Sequence, residues 1–140
     1  MEHWLTYVKH SYQVILDAEA KLCINLEHQT EAYMVHLFAR YMDKPNINKD
    51  PICIKIMESS AFPAIKRKQA LLLAAEECLL ITGLELTKNK WPSESYYTDL
   101  GRLAYDQVAY AYQPVDTFYI ELAENFKLLS SVLNKCKVPL

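Results

Sequence analysis

Two adjacent acids, Glu76 and Glu77, lie in an almost wholly apolar stretch and are the first residues that could do chemistry. On a helix, Leu73, Leu80 and Leu84 share their sector, so either the acids turn inward or the leucines turn outward. Acids turned inward would have raised pKa values, which a reacting site could use. Leucines turned outward would form an exposed apolar strip, which normally marks a subunit interface. We interpret this five-residue strip as an interface, and buried acids are the alternative.

A second set of polar residues could line a pocket for a small ligand. His36 lies on the predicted second helix, Glu77 on the fourth, and Tyr97 and Tyr105 on the fifth. An imidazole, a carboxylate and two phenols could orient a ligand against an apolar wall or take part in a reaction. The structural alternative is that His36 lies on the wet edge of its helix and that the tyrosine rings fill the core.

Motifs that would identify a reaction or a cofactor are not found in the sequence. It contains no G-x-S-x-G, Walker loop, G-x-G-x-x-G or H-E-x-x-H. Di-metal carboxylate bundles need E-x-x-H on each of two helices, and here only the reverse order occurs, once, at His28 and Glu31. We therefore predict no metal site and no cofactor, and the sequence identifies no catalytic residue.

The cysteines and the charge balance restrict the compartment and the partners. The four cysteines are far apart, without zinc spacing, and we interpret them as reduced core residues: Cys23, Cys53, Cys78 and Cys136. With 23% charged residues and a net charge of -2, the chain is neither disordered nor a strongly basic nucleic-acid binder. Its one basic cluster is Lys66, Arg67 and Lys68, and adjacent cations on a helix point in three different directions. We predict no nucleic-acid partner.

Neither a membrane nor a secretory signal is expected. The longest apolar runs, residues 70–75 and 78–84, are too short to cross a bilayer. The first residues lack the basic and apolar regions of a signal peptide. We therefore expect a cytoplasmic protein.

Helices must position all of these residues, because the chain shows helical periodicity without strand alternation and has only two glycines. Proline and asparagine clusters divide it into six segments, at about 4–22, 25–42, 51–59, 63–85, 93–112 and 115–135. Apolar side chains surround the second and fourth segments, which predicts that these two helices are the most buried. We expect Glu19, near the end of the first helix, to reach water. The prediction is an all-α, single-domain bundle of five to six helices over residues 1–140.

Part of the chain resembles a known group of proteins. Over roughly residues 76 to 112, E-C-L-L-I-T-G-L followed by S-Y-Y-T-D-L-G-R-L-A-Y resembles a group of uncharacterised bacterial all-helical proteins with no assigned activity. The similarity also includes E-A-Y-M-V-H-L-F-A-R-Y. The resemblance implies a helical fold and a bacterial origin, and it implies no activity.

These patterns lead to two functional hypotheses. The first is a protein that acts by binding, as a homodimer or as an adaptor or chaperone-like partner of another protein. The second is a small-ligand-binding or enzymatic bundle with a pocket between the second, fourth and fifth helices.

Overall fold

The structure, a computed structural model, describes residues 2–45, 47, 51–86 and 93–137. Within these residues the chain forms seven α-helices and no strand, which confirms the all-α prediction. The helices are α1 (Glu2–Leu22), α2 (His28–Asp43), α3 (Ile52–Ser59), α4 (Ala64–Leu84), α5 (Glu94–Ala109), α6 (Thr117–Glu124) and α7 (Phe126–Cys136). None of the helices in the described residues has both the length and the apolar composition that crossing a bilayer requires.

The count of five to six helices is not confirmed, because the predicted last helix is divided at Asn125. This residue has φ -96° and ψ 13°, outside the helical region. The hydrogen bonds on either side persist: Asn125 N–H donates to the Glu121 carbonyl and Leu129 N–H to the Asn125 carbonyl, both at 2.9 Å. An apolar stripe continues across this break: Leu122, Phe126, Leu129 and Leu133 are buried, and Phe118 is half-buried.

Contacts between residues divide the chain into two compact units. Unit 1 comprises Met1–Ile47 and Ser131–Leu140, and unit 2 comprises Asn48–Ser130. Unit 1 therefore contains α1, α2 and the end of α7, and unit 2 contains α3 to α6 and the start of α7. The single domain predicted for residues 1–140 stays a prediction.

In unit 1, α1 packs against α2 through a short turn. The turn begins at Cys23, which has a left-handed φ of 56°. Glu19 stabilises it twice: its carbonyl accepts from Ile24 N–H at 3.0 Å, and its carboxylate Oε1 accepts from Leu26 N–H at 2.7 Å. Glu19 is consequently buried, so the expectation that it reaches water was wrong.

The predicted burial of α2 and α4 is not confirmed as a pair. Every residue of α4 from Ala74 to Leu84 is buried, so this half of the helix is enclosed on all sides. In α2 only Met34, Val35 and the run from Leu37 to Ala39 are buried. His36 and Arg40 are exposed and form a wet edge.

In unit 2, α4 packs against α3 and α5, and α6 packs against α5. Ser93 caps α5, its Oγ accepting from Tyr96 N–H at 3.2 Å. Gly101 allows α5 to approach its neighbours closely, because a Cβ there would lie 2.6 Å from Phe126 Cζ and 3.0 Å from Cys78 Cβ.

Candidate binding groove

The residues of the predicted interface strip are mostly inside the protein. Glu76, Glu77, Leu80 and Leu84 are all buried, and Leu73 alone is exposed, at 56%. The exposed strip that we expected is therefore corrected to the alternative, in which the acids turn inward. The reason is that α4 is enclosed all round over this stretch, so leucines and acids alike are covered.

Glu77 can be buried because α3 supplies a cation. The Lys55 Nζ atom lies 2.9 Å from Glu77 Oε2, as both a hydrogen bond and an ion pair. The carboxylate side chain is 7% exposed and the lysine side chain 21%. A buried carboxylate is tolerated when a cation and hydrogen bonds compensate it. This pair satisfies both charges within the chain.

The Cys78 thiol and the Tyr96 and Tyr97 phenols around this pair stay protonated at neutral pH. Burial, and then the Glu77 charge, raises the pKa of the Cys78 thiol to about 12. A hydrogen bond with Cys53, followed by burial, raises the pKa of Tyr96 to about 12. Burial, and then Cys78, also raises the pKa of Tyr97. A thiol with so high a pKa is not an activated nucleophile, so this end of the unit offers a structural ion pair among neutral groups.

The four residues predicted to line a ligand pocket have different environments. Glu77 is paired with Lys55, and Tyr97 is half-buried near Cys78. Tyr105 is fully buried and packs edge-on against Phe126, with ring centroids 6.3 Å apart, so its ring fills the core. His36 belongs to unit 1, where it is exposed and stacks on Trp4 with centroids 6.3 Å apart.

Along α4, a groove lies nearer to the N-terminal end than the Lys55–Glu77 pair does, at Arg67 and Leu71. It is open to solvent and has a volume of about 620 Å³. It is formed by the C-terminal part of α3, the first turns of α4, and the last turns of α5 with the residues that follow. We call it the α3–α5 groove, and it is lined by Ile56, Met57, Ser59, Ser60, Arg67, Leu71, Leu103, Gln107, Tyr110 and Ala111.

The groove has a buried apolar floor and an exposed apolar rim. Ile56 and Leu71 are buried and form the floor. Met57 is 73% exposed, Tyr110 61% and Leu103 45%, and these three form the rim. Single exposed apolar residues are common on protein surfaces, whereas apolar residues gathered around one depression are typical of binding sites.

Arg67 is the one charged residue in the lining. Among the described residues, no ion pair or side-chain hydrogen bond engages its guanidinium, and the side chain is half-buried. Its neighbours point elsewhere, as predicted for adjacent cations: Lys66 lies over the Phe62 ring at 4.9 Å, and Lys68 lies 5.3 Å from the Tyr112 ring centroid. The groove therefore contains a single cation.

The remaining polar groups of the groove are neutral. Ser59 Oγ donates to the Ile56 carbonyl at 2.6 Å, and Ser60 Oγ donates to the Met57 carbonyl at 2.8 Å. Both hydroxyls thus stabilise the end of α3, and Gln107 offers an exposed amide. An apolar surface with one guanidinium and neutral hydrogen-bonding groups is suited to binding. It lacks the paired nucleophile and base of a hydrolytic site.

Sequence reasoning missed the groove and its rim residues. One signal was present for the Lys55–Glu77 pair: Lys55 is the sole cation in the apolar run I-C-I-K-I-M, and a lone cation there requires an acid. The groove gave no comparable signal. Its residues come from three helices, and each residue alone fits an ordinary amphipathic pattern.

The cysteines are only partly core residues. All four are free, but Cys78 and Cys136 are buried, Cys53 is half-buried and Cys23 is exposed, so the core interpretation was wrong for Cys23. Burial raises the pKa of Cys136 to about 12. Within the described residues, no group of three or more histidine, cysteine, aspartate or glutamate side chains is arranged to hold a metal ion.

Comparison of the chain with protein-family models, with curated proteins and with solved structures gives no match.

Proposed function

We propose that this protein acts by binding another protein and that the α3–α5 groove is the binding site. The observation that carries the proposal is the exposure of Met57, Leu103 and Tyr110 around one depression with a buried apolar floor. Covering these side chains would remove apolar surface from water, which is favourable by about 25 cal/mol per Å². Methionine and tyrosine are also typical of interface centres, because both offer large contact surfaces.

The openness of the groove supports a macromolecular partner over a small molecule. Small-ligand sites usually enclose most of the ligand, and they do so in concave cavities. Here the rim side chains project from a shallow, solvent-open depression. A partner surface can contact the floor and the rim together, whereas a small molecule in the depression would leave the rim exposed.

The protein would work in a reducing compartment, and we propose the cytoplasm. The support is that all four thiols are free, including the exposed Cys23. Disulfides are common in extracellular proteins and rare in cytosolic ones. An adaptor-like role fits the groove best, and self-association through the same groove is the other form of this proposal.

Selection from a displayed library of random peptides about sixteen residues long tests the proposal with a defined probe. The rim variant Met57→Ser/Tyr110→Ser removes two apolar side chains from the groove. The control variant Ile65→Ser/Leu73→Ser removes two equally exposed apolar side chains that do not line it. We expect selected peptides to bind the rim variant at least about tenfold more weakly, and the control as tightly as the unchanged protein.

Three results would contradict the proposal: no enriched peptides, binding that survives the rim substitutions, or equal loss in the control. Sedimentation at micromolar concentration distinguishes the two forms of the proposal. If the unchanged protein is a dimer and the rim variant is a monomer, the partner is a second copy.

A further inference from the structure

We propose that the partner segment is an amphipathic helix that carries an acidic side chain within its apolar face, and that this carboxylate pairs with Arg67. The inference rests on the proposed function of the α3–α5 groove and specifies the chemistry of its occupant. It follows from the charge of the lining and from the secondary structure around it.

Arg67 gives the lining of the groove its one positive charge. Arg67 lines the groove between apolar side chains, and none of the residues that line the groove is acidic. A partner that covers the floor and the rim also covers this half-buried guanidinium and removes water from it. A cation that loses water without gaining an anion is strongly unfavourable. An apolar partner must therefore bring a carboxylate.

The shape of the Arg67 guanidinium favours a carboxylate as its partner. A guanidinium presents its N–H donors in a planar fork that matches a carboxylate, and the two can form paired hydrogen bonds. The Gln107 amide, also in the lining, can donate a further hydrogen bond to the same group. The neighbouring serine hydroxyls already donate to carbonyls of α3, so Arg67 is the main anion-binding group of the groove.

The surroundings of the groove restrict the secondary structure of the partner. A partner strand would need a sheet edge, and the described residues contain no strand. A polyproline segment needs a groove lined by several aromatic rings, and Tyr110 is the one aromatic residue in this lining. Among the recognition modes that depend on the secondary structure of the partner, the one that remains is a helix that lays its apolar face into a groove between helices.

The experiment repeats the peptide selection with Arg67→Glu and with Lys66→Glu. Both variants make the same charge change in the first turns of α4, but Lys66 lies over Phe62 and does not line the groove. We expect the unchanged protein and Lys66→Glu to select peptides with apolar residues at helical spacing and one Asp or Glu among them. Arg67→Glu should instead select Lys or Arg at that position.

Affinities of one selected peptide complete the test. Arg67→Glu should weaken its binding about tenfold or more, and replacing the acid of the peptide by lysine should restore binding to that variant. If Arg67→Glu fails to fold, Arg67→Gln replaces it in the test: this variant removes the positive charge and keeps a polar side chain, and it should abolish the preference for an acid.

The two proposals fail in different ways. Selected peptides without an acidic preference, bound equally by Arg67→Glu, would overturn the carboxylate inference and leave the groove as a binding site. Acidic peptides that lack helical spacing would overturn the helical form of the partner. Binding that does not depend on Met57 and Tyr110 would overturn the proposed function itself.

Discussion

Lys55 and Arg67 are two cations in neighbouring helices of unit 2, and their surroundings differ. Lys55 is 2.9 Å from a buried carboxylate, near the protonated Cys78 thiol and Tyr96 phenol. Arg67 lines an open apolar groove without an acidic residue in its lining. A charge satisfied inside the chain contributes to folding, whereas a charge left beside exposed apolar groups is available to a partner. We call the part of α4 around the Lys55–Glu77 pair the structural end and the part around Arg67 the binding end.

The largest expected effect is on the structural end. Glu77→Gln removes the negative charge and leaves the partly buried Lys55 ammonium without its partner. We expect the free energy of unfolding, measured by urea denaturation, to fall by about 3 kcal/mol, because breaking a buried pair leaves one charge uncompensated. The double variant Lys55→Met/Glu77→Leu should recover most of this loss. A loss of less than about 0.5 kcal/mol for Glu77→Gln would show that the pair is not structural and would erase the contrast.

Packing should show a similar difference within α5, between the buried Gly101 and the rim residue Leu103. Gly101→Ala places a methyl group against Phe126 and Cys78, so one of these neighbours must move. Overpacking of this kind costs about 1–3 kcal/mol, more than the roughly 1 kcal/mol that alanine gains over glycine in a helix. We expect a net loss of up to about 2 kcal/mol in urea denaturation, and the double variant with Phe126→Leu should reduce this loss.

The control for this prediction lies in the same helix, on the rim of the groove. Leu103→Ala removes a 45% exposed side chain and should change the free energy of unfolding by less than about 0.5 kcal/mol. Equal losses at Gly101 and Leu103 would mean that the rim is part of the core.

Unit 1 sharpens the comparison with a buried carboxyl group, Glu19, whose pKa is not lowered by a cation from any of the described residues. Burial raises the pKa of Glu19 above its usual value of 4.5, and the Glu31 charge raises it further. A raised pKa favours folding while the pH is below the ordinary pKa, and this contribution disappears as the pH rises through the raised pKa. Glu19→Gln keeps a side-chain oxygen that can accept the hydrogen bond from Leu26 N–H, but the glutamine side chain cannot ionise.

The difference in melting temperature, Glu19→Gln minus the unchanged protein, should therefore be more positive at pH 7 than at pH 4. The corresponding difference for Glu31→Gln, this variant minus the unchanged protein, should also be more positive at pH 7 than at pH 4. The change should be smaller, because the Glu31 charge raises the pKa of Glu19 less than burial does. A difference that is constant with pH, or that decreases towards pH 7, would contradict the assignment.

The sequence predicts the helices of this protein better than it predicts the contacts between them. Local signals are enough for the helical class, since helical periodicity depends on residues within one element. The break at Asn125 was missed, because asparagine is only a weak helix breaker and the apolar stripe continues across it.

The direction of the Glu77 side chain could not be predicted from α4 alone. Whether an acid turns inward depends on a cation elsewhere in the chain, and that cation is 22 residues away on α3. The groove around Arg67 depends on the ends of three helices, so its exposed rim cannot be recognised from the pattern of any one of them.

Urea denaturation of Lys55→Met and Arg67→Met, side by side, tests most directly whether the two cations have different roles. Both substitutions replace a cation with an apolar chain, and urea does not screen charges as an ionic denaturant would. The account predicts a loss of about 2–4 kcal/mol for Lys55→Met, which leaves Glu77 buried and unpaired, and an unchanged or slightly higher value for Arg67→Met. A loss for Arg67→Met as large as that for Lys55→Met would contradict it, because Arg67 would then be a structural residue.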